Sequence, residues 1–398
     1  MIGIRKLRNP VQSYAWGSRT GLADFLGREP AGEPEAELWM GAHPKAPSEL
    51  EIDGRWVSLA EVVRAAPAEL LGPEAAREAA TLPFLLKVLA AGRALSIQAH
   101  PDARQAAAGC RREDSAGIPR EAARRNYRDA SAKPELLYAL TPFTVLRGFR
   151  PPPEILVLMR RLGLLELVPE IARALGRGDL KAFFESYTAL EARRLEHVLQ
   201  QASRAAERRA TEDAAFVWVP ELERQFPGDR GVLAPLYLHL LELAPGQVLF
   251  TGPGVLHAYL EGVGVELMAN SDNVVRGALT SKHVDVAELS AILRFEVQPP
   301  DLLAPVVTAG ERRFASAGGE LELAVVEVAA GEIHRRGGGR GVEILLCGKG
   351  EGVIHATAGG APSEFRRGDS FLVPAAVPGY RIEGSATLFR AAAGAASG

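Results

Sequence analysis

Cysteine is nearly absent from this chain: there are two, Cys110 and Cys347, far apart and in neither a CxxC pair nor a secreted-type framework. A disulfide scaffold and a thiolate metal cluster are thereby excluded, and both are read as reduced thiols without catalytic weight. An excess of either charge is missing too. The 46 basic and 49 acidic residues leave a net charge of -3, so no global field draws the protein to nucleic acid or to a membrane surface. Any anion it binds must be held by a local basic cluster. No apolar run is long enough to span a bilayer, and the opening MIGIRKLRNPVQSYAW lacks the apolar core of a signal peptide. These absences predict a cytoplasmic protein, expected to be a monomer, with no membrane or nucleic-acid partner. What is present is ordinary globular composition, 47% hydrophobic and 24% charged, over 398 residues, enough for two or three packed units.

Residues 1–150 mix short strand-like runs with turn signals and read as a β-rich unit. The character changes at Pro151. From Asp179 to Val219 there is neither Gly nor Pro, and Ala, Leu, Glu and Arg dominate, which predicts helix. Phe183, Phe184, Tyr187, Leu190, Leu195 and Val198 recur there at helical spacing, as a core-facing stripe does. From Gly231 the glycine and valine content rises again, predicting a return to the first β unit, so 151–230 is read as a helical domain inserted between 1–150 and 231–298. Residues 299–398 carry further strand runs, LELAVVEV, VEILLCGKGEGVI and FLVPAAVPGYRIEG, and end in AAAGAASG, which is expected to be loose. The fold predicted is mainly β with an α-helical insert: two cupin-like jelly-roll β domains plus the helical domain. GPGVLHAYLEG near 252 and VPAAVPGYRIEG near 373 both read as strand, proline-marked turn and strand. Gly379 stands where the first has His257, so the C-terminal unit is expected to carry no metal.

In LSIQAH the strand period puts Ser96, Gln98 and His100 on one face and Leu95, Ile97 and Ala99 on the other. A lone Q-x-H is usually a hydrogen-bonded pair. Two further segments add to it: KPELLYAL places Glu135 at a strand entrance, and PGVLHAYLEG supplies His257 after a Gly-Pro-Gly turn. An amide oxygen, two imidazoles and a carboxylate form a borderline-hard set that suits Zn²⁺, one ion per chain, with room for water or substrate oxygens. The same set also accepts manganese, cobalt or iron.

Five blocks, NPVQSYAWGS (9–18), AELWMGAHPKAPS (36–48), LPFLLKVLAAGRALSIQAHPD (82–102), NYRDASAKPEL (126–136) and GPGVLHAYLEGVGVELMANSDNVVRGALTSKHVDVAEL (252–289), resemble in content and order the signature blocks of class I mannose-6-phosphate isomerases. The resemblance covers the first three quarters of the chain. It implies a zinc held by Gln98, His100, Glu135 and His257, and a pocket lined by Lys87, Lys133, Glu266, Asp272, Arg276 and Lys282. It also implies the activity, interconversion of mannose 6-phosphate and fructose 6-phosphate through a cis-enediol. One position departs: the family block before KPE often carries a histidine, and here Ala132 stands there.

Such an isomerase must stabilise an oxyanion, carry a proton across one face and anchor a phosphate. For the base the candidates are Glu266, Asp272 and Lys133, in that order. For the phosphate they are Arg276, Lys282 and Ser96, with Arg276 also a candidate catalytic group near C1 and C2. Lys87, in the apolar run LPFLLKVLA, must have a partner, because a buried lone ammonium is costly. Tyr14 and Trp16 could wall the pocket or belong to the core. The arginines at 111, 112, 120, 124, 125 and 128 could rim an anionic-substrate entrance but read first as a solvated helical face, and the remaining histidines carry no metal spacing. Two other functions stay open at this point: a metal-cupin that binds sugars without turnover, and an isomerase of another sugar phosphate.

Overall fold

The strand His257–Ala269 organises the first half of the molecule. In the computed structural model, which describes residues 3–73, 75–78, 81–308, 310–337 and 341–394, it pairs antiparallel with four others. Its first residues lie beside Ile97–Ala99 and Phe143–Phe149, and its last beside Phe84–Ala91 and Glu135–Ala139. Changing partners needs a bend. A register shift between Tyr259 and Glu261 begins it, and Gly262 completes it at φ 137°, where a Cβ would stand 2.7 Å from the Phe143 ring.

Among the described residues the strands form two sheets, one of ten strands and one of eleven. The ten-stranded sheet contains the Gln/His, Glu135 and His257 segments. The eleven-stranded sheet holds the C-terminal strands and, less expectedly, Arg5–Arg8, Glu49–Ile52 and Arg55–Ser58 from the start of the chain. The segment 1–150 therefore contributes to both sheets. One apolar core joins them: Met40, Phe84, Leu86, Leu136 and Leu267 from one side meet Leu323, Ile344, Leu346 and Leu372 from the other. Both compared segments take the strand, turn, long strand form, with His257 opening one long strand and Gly379 preceding Tyr380–Ala393. The tail expected to be loose begins as part of that strand, with Ala391 and Ala392 buried; 395–398 lie outside the described residues.

Helices fill 152–237. The glycine-free run is not one helix but three, Leu180–Thr188, Ala192–Glu207 and Ala214–Gln225. Aspartates start two of them: Asp179 accepts from the Ala182 N–H and Asp213 from the Ala215 N–H, so the break before Ala214 is marked by a capping side chain rather than by Gly or Pro. The aromatic and aliphatic stripe is buried throughout and packs against Ile97, Ala99, Leu146 and Ala258, on the sheet face turned away from Gln98. This packing fixes from behind the strands that carry the chemistry.

Candidate active site

His100, Glu135 and His257 are buried, and their ligating atoms lie within 4.8 Å of one another. Among the described residues this is the one histidine and carboxylate group with metal-binding geometry. His100 Nδ1 lies 2.7 Å from the Asn273 carbonyl oxygen, and His257 Nδ1 lies 2.9 Å from that of Val255. A carbonyl only accepts, so both Nδ1 atoms carry the proton and both Nε2 atoms present lone pairs. Those lone pairs face the Glu135 carboxylate, at 3.1 Å for His100 and 3.4 Å for His257, and neither Nε2 has a hydrogen-bond partner. Two imine nitrogens and a carboxylate in mutual contact need a cation between them, and the donor set fits a divalent ion such as Zn²⁺. Burial, reinforced by the Lys133 charge, holds the His100 imidazole down at about 4, so it stays neutral and ready to ligate. Burial pushes the Glu135 carboxyl up, but the Lys133 charge, with the adjacent imidazoles, outweighs it and leaves it well below the usual range.

Gln98 sits directly opposite His257 across one strand pair and opposite Arg276 across the next, so all three side chains share a face. The Ser96 hydroxyl donates to Gln98 Oε1 over 3.3 Å. Lys133 Nζ is 3.1 Å from Glu135 Oε1.

A second buried group adjoins the first. Register places Glu266 opposite Lys87 and Lys87 opposite Trp39. Lys87 Nζ lies 3.2 Å from both Glu266 Oε2 and Glu37 Oε1, and the Trp39 indole donates to Glu37 Oε2 over 2.8 Å. The ammonium thus has two carboxylates, and they hold it firmly charged against burial. Burial raises the Glu266 carboxyl, Lys87 opposes that, and the Glu135 charge adds to the rise.

Asp272 is placed otherwise. Its carboxylate takes Lys45 Nζ at 2.8 Å and His43 Nε2 at 3.5 Å; burial pushes it up, but these two partners hold it well below the usual carboxylate range. Around it stand four cations, Lys45, Arg128, Arg276 and Lys282. Burial and then the Arg128 charge lower Arg276, while burial and then Arg276, Lys45 and Arg128 lower Lys282. Cations crowded until they destabilise one another form a ready anion site. Tyr14 stands at the mouth, 39% exposed, with its phenol pushed up by burial and by Glu37. Trp16 stacks on it at 5.7 Å and packs on its other side into a small core.

The arginine run is a correction in part. Arg111, Arg112, Arg120 and Arg124 are exposed, but the helix Ala103–Ser115 ends before Arg120, and Arg125 is buried, bonded to Asp114 at 2.6 Å and to Glu113 at 3.2 Å. Arg128 is half-buried, donating to the Arg120 carbonyl and 3.5 Å from Glu121, and its charge lowers Arg276. Sequence reasoning also missed Glu37, Lys45 and Asn273. For Glu37 a signal existed: a buried Lys87 requires a carboxylate on a neighbouring strand, and ELWM supplies one at strand period from Trp39. For Asn273, whose side-chain amide donates at 2.9 Å to the Asp129 and Ser131 carbonyls while its own carbonyl orients His100, there was none.

Residues 4–152 match the model of the phosphomannose isomerase type I catalytic domain. Mannose-6-phosphate isomerase of Escherichia coli (strain K12) is 40% identical over 78% of this chain and 80% of its own length. Mannose-6-phosphate isomerase 1 of Arabidopsis thaliana is 32% identical over 75% and 73%. Among solved structures, a mutant phosphomannose isomerase from Salmonella typhimurium superposes with TM-score 0.93 at 33% identity, covering 99% of this chain and 100% of that one. A zinc-bound mannose 6-phosphate isomerase does so with TM-score 0.92, also at 33% identity and with the same coverage. With the sequence blocks, the two-sheet fold and these likenesses in agreement, the chain belongs to the type I mannose-6-phosphate isomerase family.

Proposed function

We propose that this chain interconverts mannose 6-phosphate and fructose 6-phosphate at the His100, Glu135 and His257 centre, with one zinc ion as cofactor and Gln98 as the fourth protein ligand. The observation that carries the reading is the meeting of two unprotonated imidazole nitrogens with a carboxylate, beside a buried base on one side and a cationic cluster on the other. Bound zinc supplies Lewis acidity toward the sugar oxygens at C1 and C2.

The protein's own groups do the rest. Glu266, raised by burial, takes the C2 proton and returns it to C1 on the same face, and Lys87 holds it in place. Asp272, tied to Lys45 and His43 and weakly basic, orders the rim instead. Arg276, Lys282, Lys45 and Arg128 hold the phosphate, and its remote binding energy positions the reacting carbons. Lys133 shields Glu135, Ser96 orients the Gln98 amide, and Tyr14 and Trp16 wall the mouth. Ala132 has no titratable group, so the proton traffic falls to Glu266. The charge is nearly balanced, and among the described residues no helix is long and apolar enough to cross a membrane.

A coupled assay with mannose 6-phosphate, run on zinc-loaded and chelator-stripped protein, tests this. Turnover that needs the metal supports it. Turnover surviving complete removal of metal overturns the zinc assignment, and a fully loaded protein without turnover is a sugar-binding module instead.

A further inference from the structure

A cleft of about 540 Å³ opens where the two sheets meet, away from the metal centre. Its walls are apolar: Phe25 from a short helix, Leu140 and Val263 from the ten-stranded sheet, Phe389 from the eleven-stranded one. Its size is that of a small-molecule site. Tyr138 and Val263, which line it, are each three residues from Glu135 and Glu266 on the same strands. An odd spacing turns them to the opposite face. The cleft is therefore the back of the sheet whose front carries the chemistry.

Three cations line it, Arg312, Lys349 and Arg367, against one carboxylate, Asp24. Arg367 spends its donors on main-chain oxygens of Asp24 and Phe25, so its charge is unneutralised by any carboxylate among the described residues. Lys349 likewise has no ion pair there. Arg312 meets Glu327 at 2.9 Å through one Nη, while its Nε is buried without a hydrogen-bond partner. An apolar slot edged by three positive charges is complementary to a molecule that is apolar at one end and doubly negative at the other.

We propose that this cleft is a second ligand site, which takes a small organic phosphate with its apolar body on Phe25, Val263 and Phe389 and its phosphate on Lys349, Arg312 and Arg367. A dianionic phosphate fits three cations better than a single carboxylate does. The hydroxyl-rich substrate of the front site has no apolar body to match these walls.

The probe is phenyl phosphate, titrated calorimetrically into the zinc-loaded full chain and into three variants. Lys349→Glu reverses one charge on an exposed residue, and Thr387→Trp fills the slot. Lys282→Ala weakens only the front anion site. The expected result is a loss of about tenfold or more in affinity for Lys349→Glu and for Thr387→Trp, with isomerase activity unchanged in both as proof of folding, and no change for Lys282→Ala. Phenol and inorganic phosphate should each bind about tenfold more weakly than phenyl phosphate. Three results overturn the proposal: no binding to the wild type at millimolar probe, binding lost only in Lys282→Ala, or inorganic phosphate binding as tightly as the ester.

Discussion

Lys87 Nζ stands 3.2 Å from Glu266 Oε2, with both side chains closed off from solvent. Each needs the other: the carboxylate is raised by burial and the ammonium holds it down, while the lysine stays charged because two carboxylates face it. Replacing Glu266 with Gln keeps the shape and removes the base. We expect kcat to fall by about 10²–10⁴-fold with full metal content, and exchange of the C2 hydrogen with solvent to fall in parallel. Normal exchange in this variant would transfer the base role to Asp272 or Lys133.

Lys87→Met should fail differently. It leaves Glu37 and Glu266 as buried carboxylates without their cation, and breaking a buried pair from one side costs about 3–5 kcal/mol. Urea unfolding should show that loss together with reduced activity, and the double variant Lys87→Met with Glu37→Gln should recover part of the stability. If the single variant is as stable as the wild type, the charge balance drawn here is wrong.

The metal centre predicts a chelator response. Glu135→Ala leaves two imidazoles without the carboxylate that faces both at 3.1 and 3.4 Å. Loss of an outer partner weakens metal sites by about 10–100-fold, so loss of a ligand should exceed that. Competition with a chelator measures it. Zinc retained at wild-type affinity would remove Glu135 from the ligand set.

Arg128 and Lys45 are exposed to the same kind of trial. Lys45 pairs with Asp272 at 2.8 Å and Arg128 donates to the Arg120 carbonyl, and the charge of each lowers Arg276 or Lys282. Arg128→Ala should raise KM for mannose 6-phosphate by about tenfold, the worth of one charge-assisted contact, and leave kcat nearly unchanged. An unaltered KM would reduce Arg128 to a bystander at the rim.

Much of this was legible in the chain. Strand period alone put Gln98 and His100 on one face, and the two-sheet, helix-inserted architecture followed from where glycine and proline thin out and return. His100, Glu135 and His257 do converge. What stayed hidden was non-local. Arg5–Arg8 pairs with Ser370–Val373, a contact between chain ends that no local pattern encodes. Glu37 and Lys45 looked like any surface charges, because their meaning lies in what the fold brings beside them. The arginine run misled for the same reason: burial of Arg125 depends on Asp114 and Glu113, which only a turn after the helix returns to it.

In the second sheet Arg390, fully buried, meets Glu311, Glu322 and Glu343 at 2.8 to 3.3 Å, and His334 lies 3.2 Å from Glu311. Burial pushes the Glu311 carboxyl up, but the adjacent His334 and the Arg390 charge outweigh it and hold it down to about 2, from an ordinary 4.5. A carboxyl lower in the folded than in the unfolded chain contributes stability that is fully present above pH 4.5 and is lost as pH falls through the window to about 2. The full gap corresponds to roughly 3 kcal/mol, and solvent screening reduces it to about 2. The metal-free wild type should therefore exceed Glu311→Gln in urea resistance by about that amount at pH 7, with the difference shrinking steadily below pH 4.5 and gone near pH 2. Urea titrations at pH 7, 4 and 3 read the slope. A constant gap across that range would mean that Glu311 stabilises by shape alone, and that its charge does nothing for the buried Arg390.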